Sequence, residues 1–181
     1  MRPGGHPGLP IPRRSLQNAS GRPGRRPRTG RLPGPYPGPV SNMNDPAKRP
    51  TFPQIYLELA RLLAQRSTCS RRQVGTVITT TDYRRVLAVG YNGNASGLPN
   101  RCDRDESGNC GCLHSEENAC INCDSPRSLE KYVFVTLLPC PMCAKRLINL
   151  GSVVRLTYGE EFRTSEGRDL LEAVGIEVVQ A

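Results

Sequence analysis

The stretch "KYVFVTLLPCPMCAKRLINLG", residues 131–151, decides the fold. Residues 131–138 form a nearly continuous apolar run, which is typical of a central strand with both faces buried. A helical pattern follows over 139–151, with Pro141 at its first position and Gly151 at its end. A buried strand that leads directly into a helix predicts a crossover unit of an α/β sheet.

The segments on either side complete an alternating order of helices and strands. The first predicted helix has an apolar stripe, and Thr51 is its candidate cap; the stripe holds Ile55, Leu59, Leu62 and Leu63. We predict helices over 51–67, 114–123 and 164–175 and strands over 74–81, 85–91, 153–159 and 176–180. A hairpin followed by crossovers predicts one mixed five-stranded sheet with helices on both faces, a three-layer αβα fold.

A metal-ligand pattern spans two of the predicted helices. His114 begins the earlier helix, and Cys140 and Cys143 lie one turn apart at the start of the later one. One imidazole and two thiolates leave a fourth zinc position open, as a catalytic site requires. Glu116 follows His114 by two residues, where a carboxylate can take a proton from water and return it to a substrate. The alternative is a structural zinc knot, in which Glu116 only favours its helix start.

The joint pattern of H-x-E, 22 residues and P-C-x-x-C is that of the zinc-dependent base deaminases. The chain resembles the cytidine and deoxycytidylate deaminase superfamily, and four further stretches resemble its deoxycytidylate (dCMP) deaminase branch. These stretches are "CSRRQVGTVI" (69–78), "GYNGNASGLPNRCD" (90–103), "PCPMCAKRLINLG" (139–151) and "VVRLTYGEEF" (153–162). The resemblance implies a cytidine-deaminase-like fold and deamination of dCMP to dUMP for dTTP synthesis. It also implies a homo-oligomer, commonly a hexamer, and in many members regulation by dCTP and dTTP.

The resemblance also assigns roles to single residues. His114, Cys140 and Cys143 match the zinc ligands, and Glu116 matches the proton shuttle. Asn92 matches an asparagine that contacts the nucleotide, although an asparagine before a glycine is also typical of a turn.

The 5′-phosphate of a nucleotide needs hydrogen-bond donors. Arg71 and Arg72 are candidates, with solvated surface arginines as the alternative, and backbone amides of the 92–97 loop are another option.

The remaining cysteines predict a second, structural zinc site. Some members of the family hold such an ion in the loop before the catalytic helix. Here three loop cysteines and one of two later cysteines would complete a four-coordinate set: Cys102, Cys110 and Cys112 with Cys120 or Cys123. The alternative is that one of the later pair is a small core residue. Cys69 is expected in the core or near the pocket entrance.

Charge is concentrated in an N-terminal tail. Residues 1–42 hold eight arginines, no lysine and no acidic residue, and thus carry most of the net charge of +9. Their Pro- and Gly-rich composition predicts a disordered tail, with a true start at Met43 as the alternative. The deaminase domain would then be 43–181. This body is nearly neutral, which argues against nucleic acid as the partner and favours a small nucleotide.

Three other functions stay open from the sequence: a tRNA adenosine deaminase, another cytosine or small-metabolite deaminase, and a non-catalytic zinc-stabilised binding module. No apolar run reaches the length of a membrane span. Clustered cysteines without an export signal predict a reducing, cytoplasmic location.

Overall fold

The computed structural model of the chain describes residues 49–104 and 109–181. These residues fall within one compact unit, Asn42–Ala181. The predicted disordered tail at 1–42 and the alternative start at Met43 lie outside the described residues. The described part contains nine elements in the predicted order: α1 Phe52–Ala64, β1 Gly75–Thr80, β2 Val86–Tyr91, α2 Ser115–Ile121, β3 Lys131–Leu137, α3 Pro141–Leu150, β4 Val153–Glu160, α4 Glu166–Glu172 and β5 Glu177–Gln180.

The five strands of the described residues form one mixed sheet in the order β2-β1-β3-β4-β5. β1 is antiparallel to β2 and to β3, whereas β3 with β4 and β4 with β5 are parallel. β3 is therefore central, as predicted, and its Val133, Phe134 and Val135 are at most 1% exposed. Because β2, β3 and β4 run in the same direction, the segments that follow them meet at one edge of the sheet.

Helices cover both faces of this sheet, which confirms the predicted three-layer arrangement. α1 packs on one face, where Tyr56 and Ala60 contact Val77 and Phe134. The other three helices cover the opposite face, each with a buried residue in the larger core: Ala119, Leu147 and Leu171. Among the residues that the structure describes, no helix is both long and apolar enough to cross a membrane.

The helix and its cap are confirmed. The predicted apolar stripe of α1 is right for Leu59 and Leu63, which pack against the core cluster on this face, but wrong for Ile55 and Leu62. Thr51 forms a reciprocal capping box with Gln54. However, Ile55 is 44% exposed and Leu62 is 61% exposed, while the buried face of the helix holds Tyr56, Leu57, Ala60 and Ala64.

Close packing explains this choice of face. At Gly75 of β1, a Cβ atom would lie 2.0 Å from the Ala60 carbonyl oxygen. Only the face with small alanines can approach the strand so closely, so Ile55 and Leu62 turn outward, while Leu59 and Leu63 are only partly buried.

Candidate active site

Three candidate metal ligands meet where α2 and α3 begin. His114 is the N-cap of α2, Cys140 is the N-cap of α3, and Cys143 lies in the first turn of α3. The His114 Nδ1 atom lies 3.6 Å from Cys140 Sγ and 3.3 Å from Cys143 Sγ. Ligand atoms of a tetrahedral zinc ion, at about 2.0–2.3 Å from the metal, lie about 3.3–3.8 Å apart. The three side chains therefore fit a zinc ion.

The backbone fixes the starts of both helices. At Gly90 of β2, a Cβ atom would lie 2.1 Å from the Ser115 carbonyl oxygen, so the glycine lets α2 rest directly on the strand. Asn118 ties α2 to the end of the same strand, because its Nδ2 donates to the Tyr91 carbonyl at 2.8 Å. Pro141 occupies the first turn of α3, where its lack of an N–H costs nothing. These contacts fix the start of α2 against β2, and Pro141 favours a helix start directly after the candidate ligand Cys140.

Among these three groups, the Cys140 sulfur is the one whose charge suits a cation. Hydrogen bonding with Cys143 lowers the pKa of the Cys140 thiol to about 3, and hydrogen bonding with His114 acts in the same direction. Hydrogen bonding with Cys140, followed by burial, raises the pKa of the Cys143 thiol. Hydrogen bonding with Cys140 also raises the pKa of His114. An anionic sulfur beside an imidazole at a helix N-terminus is a donor set that zinc favours.

Glu116 lies beside this donor set and is nearly sealed from solvent. Its side chain is 4% exposed, and Ser115 Oγ donates to Glu116 Oε2 at 2.7 Å. The Ser115 hydroxyl is also 2.8 Å from Thr76 Oγ1 of β1, which fixes the position of both groups. Burial raises the pKa of the Glu116 carboxyl, and the Ser115 hydrogen bond opposes this shift. A carboxyl group with a raised pKa is suited to accept and then release a proton.

A cavity of about 980 Å³ opens over these groups at the edge of the sheet. His114, Glu116 and Cys140 lie on its wall, together with the predicted substrate contacts Arg71, Arg72 and Asn92. The cavity is therefore large enough for a small organic ligand.

Asn92 is also a structural tie. It is 7% exposed, its Oδ1 accepts from the Val74 N–H at 2.8 Å, and its Nδ2 donates to the Arg72 carbonyl at 2.7 Å. The side chain thus joins the loop after β2 to the entry of β1.

The two predicted arginines already have partners at the cavity wall. Arg72 forms an ion pair with Glu160 of β4, and the Arg71 guanidinium donates to the Arg104 carbonyl at 3.4 Å. Both guanidinium groups are therefore oriented by the protein.

Sequence reasoning missed several residues of the cavity wall, among them four from α3 and from the loop after β4. Met142 and Arg146 come from α3, and Phe162 and Arg163 come from the loop after β4. The position of the loop after β4 could have indicated Phe162 and Arg163. The end of β4 lies at the same edge of the sheet as the ends of β2 and β3, where ligands bind in such folds.

A second group of candidate metal ligands consists of Cys69, Cys102, Cys110 and Cys112. The Sγ–Sγ distances are 3.6 Å for Cys69–Cys102, 3.8 Å for Cys69–Cys110 and 3.7 Å for Cys102–Cys112. Four thiolates on a tetrahedral zinc at about 2.3 Å lie about 3.8 Å apart. All four cysteines are free thiols, so the group fits a closed structural zinc site.

The predicted fourth ligand of this site is wrong. Cys120 and Cys123 do not join the loop cysteines; both pack against the core under α2 and α3. Burial raises the pKa of the Cys120 thiol to about 12, as expected for a small core residue. Cys69, which the sequence placed in the core or near the pocket entrance, is buried, lines the cavity and completes the set.

Comparisons with known families agree with this geometry. Residues 50–160 match the family described as the cytidine and deoxycytidylate deaminase zinc-binding region. The chain is 33% identical to the deoxycytidylate deaminase of Mycobacterium phage D29 over 128 residues, which is 62% of this chain and 98% of that protein. It is also 33% identical to the deoxycytidylate deaminase of Saccharomyces cerevisiae over 147 residues, 75% of this chain and 46% of that protein. The chain therefore spans about half the length of this yeast relative.

A solved structure of a dCMP deaminase has a similar fold. The dCMP deaminase of cyanophage S-TIM5, in complex with dCMP and dUMP, superposes with a TM-score of 0.63 at 34% identity. The match covers 70% of this chain and 94% of that chain.

Proposed function

Because the chain belongs to the cytidine and deoxycytidylate deaminase family, we propose that it hydrolyses dCMP to dUMP and ammonia with the help of zinc. The observation that carries the proposal is the buried Glu116, which lies at the wall of one cavity with His114 and Cys140, two members of the group that Cys143 completes. A purely structural zinc site has no need of a buried carboxylate next to an open cavity. The product dUMP would supply dTTP synthesis.

In this proposal His114, Cys140 and Cys143 hold the zinc ion, which when bound lowers the pKa of water toward neutrality. Glu116 takes a proton from the attacking water and delivers it to N3 of the cytosine ring. The water oxygen bonds to C4, and the Glu116 carboxylate then takes the remaining proton from this hydroxyl group and passes it to the amino group. The C4–N bond breaks, ammonia leaves, and the C4 carbonyl of uracil remains. The buried position of Glu116 keeps bulk water from competing for that proton.

Substrate contacts are proposed at three other residues of the cavity wall, Asn92, Arg71 and Arg72. Asn92 would contact the nucleotide through the free lone pair of its carbonyl oxygen, because its amide hydrogen bonds fix it in place. Arg71 and Arg72 would lie near the 5′-phosphate.

We propose a second, structural zinc at Cys69, Cys102, Cys110 and Cys112. It would pin the loop before α2 to the entry of β1, two elements that line the cavity. The free state of all eight cysteines also fits a reducing compartment such as the cytoplasm.

We also propose a homo-oligomer, with a hexamer as the form that the family resemblance favours. Three exposed apolar side chains of α1 offer a surface for this contact, because Phe52, Ile55 and Leu62 are 51%, 44% and 61% exposed. Light scattering after size-exclusion chromatography measures the mass directly, and a monomer at micromolar concentration contradicts this part of the proposal.

One assay tests the activity against its alternatives. The purified protein is offered dCMP, dCTP, cytidine, deoxycytidine and tRNA separately, and ammonia release is followed. Turnover of dCMP well above the others supports the proposal. Preference for tRNA indicates an RNA-editing deaminase, preference for a free nucleoside indicates a different small-molecule deaminase, and no release from any of them indicates a binding module.

A further inference from the structure

Four arginines line the catalytic cavity, and protein carboxylates already neutralise two of them. Arg72 is paired with Glu160. Arg146 is paired with Glu117 at 3.1 Å, across the gap between α3 and α2. A substrate phosphate carries close to two negative charges at neutral pH, so a positive group without an opposing carboxylate is the better receptor.

Arg163 meets this condition. Its guanidinium carbon lies 5.3 Å from the centroid of the Phe162 ring, a cation–π contact. Within 49–104 and 109–181, the structure gives Arg163 no carboxylate partner and no hydrogen bond. Its side chain is exposed at the cavity wall, so all its donors are available to a ligand.

The loop that carries Arg163 is firmly held. Glu161, two positions earlier, accepts hydrogen bonds from the Arg168 guanidinium and the Tyr158 hydroxyl, both at 2.6 Å. Phe162 packs against the main hydrophobic core. The two residues before Arg163 are thus held in place, and the guanidinium of Arg163 lies against the ring of one of them, Phe162. Such an arrangement lowers the entropy that an arginine loses when it binds.

We propose that Arg163 binds the 5′-phosphate of the substrate and makes this site selective for a nucleoside monophosphate over a free nucleoside. This inference rests on the proposed deaminase function and names the residue that sets its substrate class. A guanidinium fork binds phosphate oxygens through two parallel hydrogen bonds, which a paired arginine cannot offer without losing its partner. Arg163 is thus the principal phosphate receptor, with Arg71 and Arg72 at its side.

The test compares dCMP with deoxycytidine, which differ only by the phosphate. The kcat/KM for each substrate is measured for the wild type, Arg163→Ala, Arg163→Lys and the control Arg84→Ala. Arg84 lies in the β1–β2 turn with its side chain 85% exposed and only a 4.0 Å contact to Asp82. The readout is the ratio of kcat/KM for dCMP to that for deoxycytidine.

We expect Arg163→Ala to lower this ratio about 10- to 100-fold, the range of charge-assisted hydrogen bonds. Arg163→Lys keeps the charge but not the fork, so its ratio should lie between those of the wild type and Arg163→Ala. Arg84→Ala should keep the wild-type ratio.

One result would overturn the inference: a ratio that Arg163→Ala leaves unchanged, whether neither kcat/KM falls or both fall equally. A wild-type protein that deaminates neither substrate would refute the proposed function instead. In that case, the affinities of the same variants for dCMP and deoxycytidine would be measured by calorimetry. A loss of affinity for dCMP alone in Arg163→Ala would support the role of Arg163, whereas an equal loss or no loss for both ligands would reject it.

Discussion

Replacement of Glu116 by glutamine separates catalysis from metal binding. The amide has nearly the same size as the carboxyl group, and its oxygen can still accept the 2.7 Å hydrogen bond from Ser115. Only the ability to carry a proton is lost. General acid–base catalysis contributes about 10²- to 10⁴-fold, which corresponds to about 3–5 kcal/mol of transition-state stabilisation. We therefore expect kcat/KM for dCMP to fall by this factor.

Zinc content and stability should not fall with it. Glu116 is not among the three proposed ligands, so metal analysis should give the wild-type amount. Burial raises the pKa of Glu116, which means that the charged carboxylate is costly in the folded protein. The glutamine variant should therefore melt at the same temperature as the wild type or higher.

Glu117→Gln is the matched control, one residue away. Its ion pair with Arg146 joins side chains that are 22% and 39% exposed, and partly exposed pairs contribute at most about 1 kcal/mol. Its activity should change by less than about fivefold. The proton-shuttle assignment fails if Glu116→Gln keeps more than about a tenth of the wild-type rate, or if both variants lose activity equally.

Three further substitutions test the rest of the structure. Cys69→Ser should lower the zinc content by one ion per chain and reduce the melting temperature. The control Cys123→Ser should keep both ions. Equal zinc loss in the two variants would reject the four-cysteine site. Lys131→Met should lower the free energy of unfolding by roughly 2–4 kcal/mol, because the buried ammonium donates to three backbone carbonyls that would lose their partner. Lys145→Met, at an exposed position of α3, is its control in denaturant unfolding and should change little. Gly75→Ala should cost at least about 1–3 kcal/mol by the same measurement, since a new Cβ atom would clash with the α1 backbone, and a neutral result would show that α1 can shift away.

Local sequence was enough to predict the order of elements. Pro141 and Gly151 mark the ends of α3, and the apolar run before them predicts the central strand that the structure contains. These signals depend on residues within one or two turns of each other, so they can be recognised in the sequence without knowledge of the fold. The same is true of the H-x-E and P-C-x-x-C spacings, because each sets its side chains on one helix start.

Long-range packing decided what the sequence left open or predicted wrongly. The α1 stripe was predicted from the helical spacing of its aliphatic residues, but two of them, Ile55 and Leu62, are exposed because the sheet packs against the face whose alanines can approach Gly75. Cys69 joins the loop cysteines although it lies 41 residues before Cys110, a distance over which periodicity carries no information.

The sequence by itself therefore determined the elements of this protein and the set of residues at its candidate metal centre. Only the tertiary structure decided which distant partners complete each site: Cys69 for the four-cysteine group and Arg163 for the cavity wall. The physical reason is that spacing along the chain fixes the direction of neighbouring side chains. Contacts between remote segments depend instead on how closely whole helices and strands can pack.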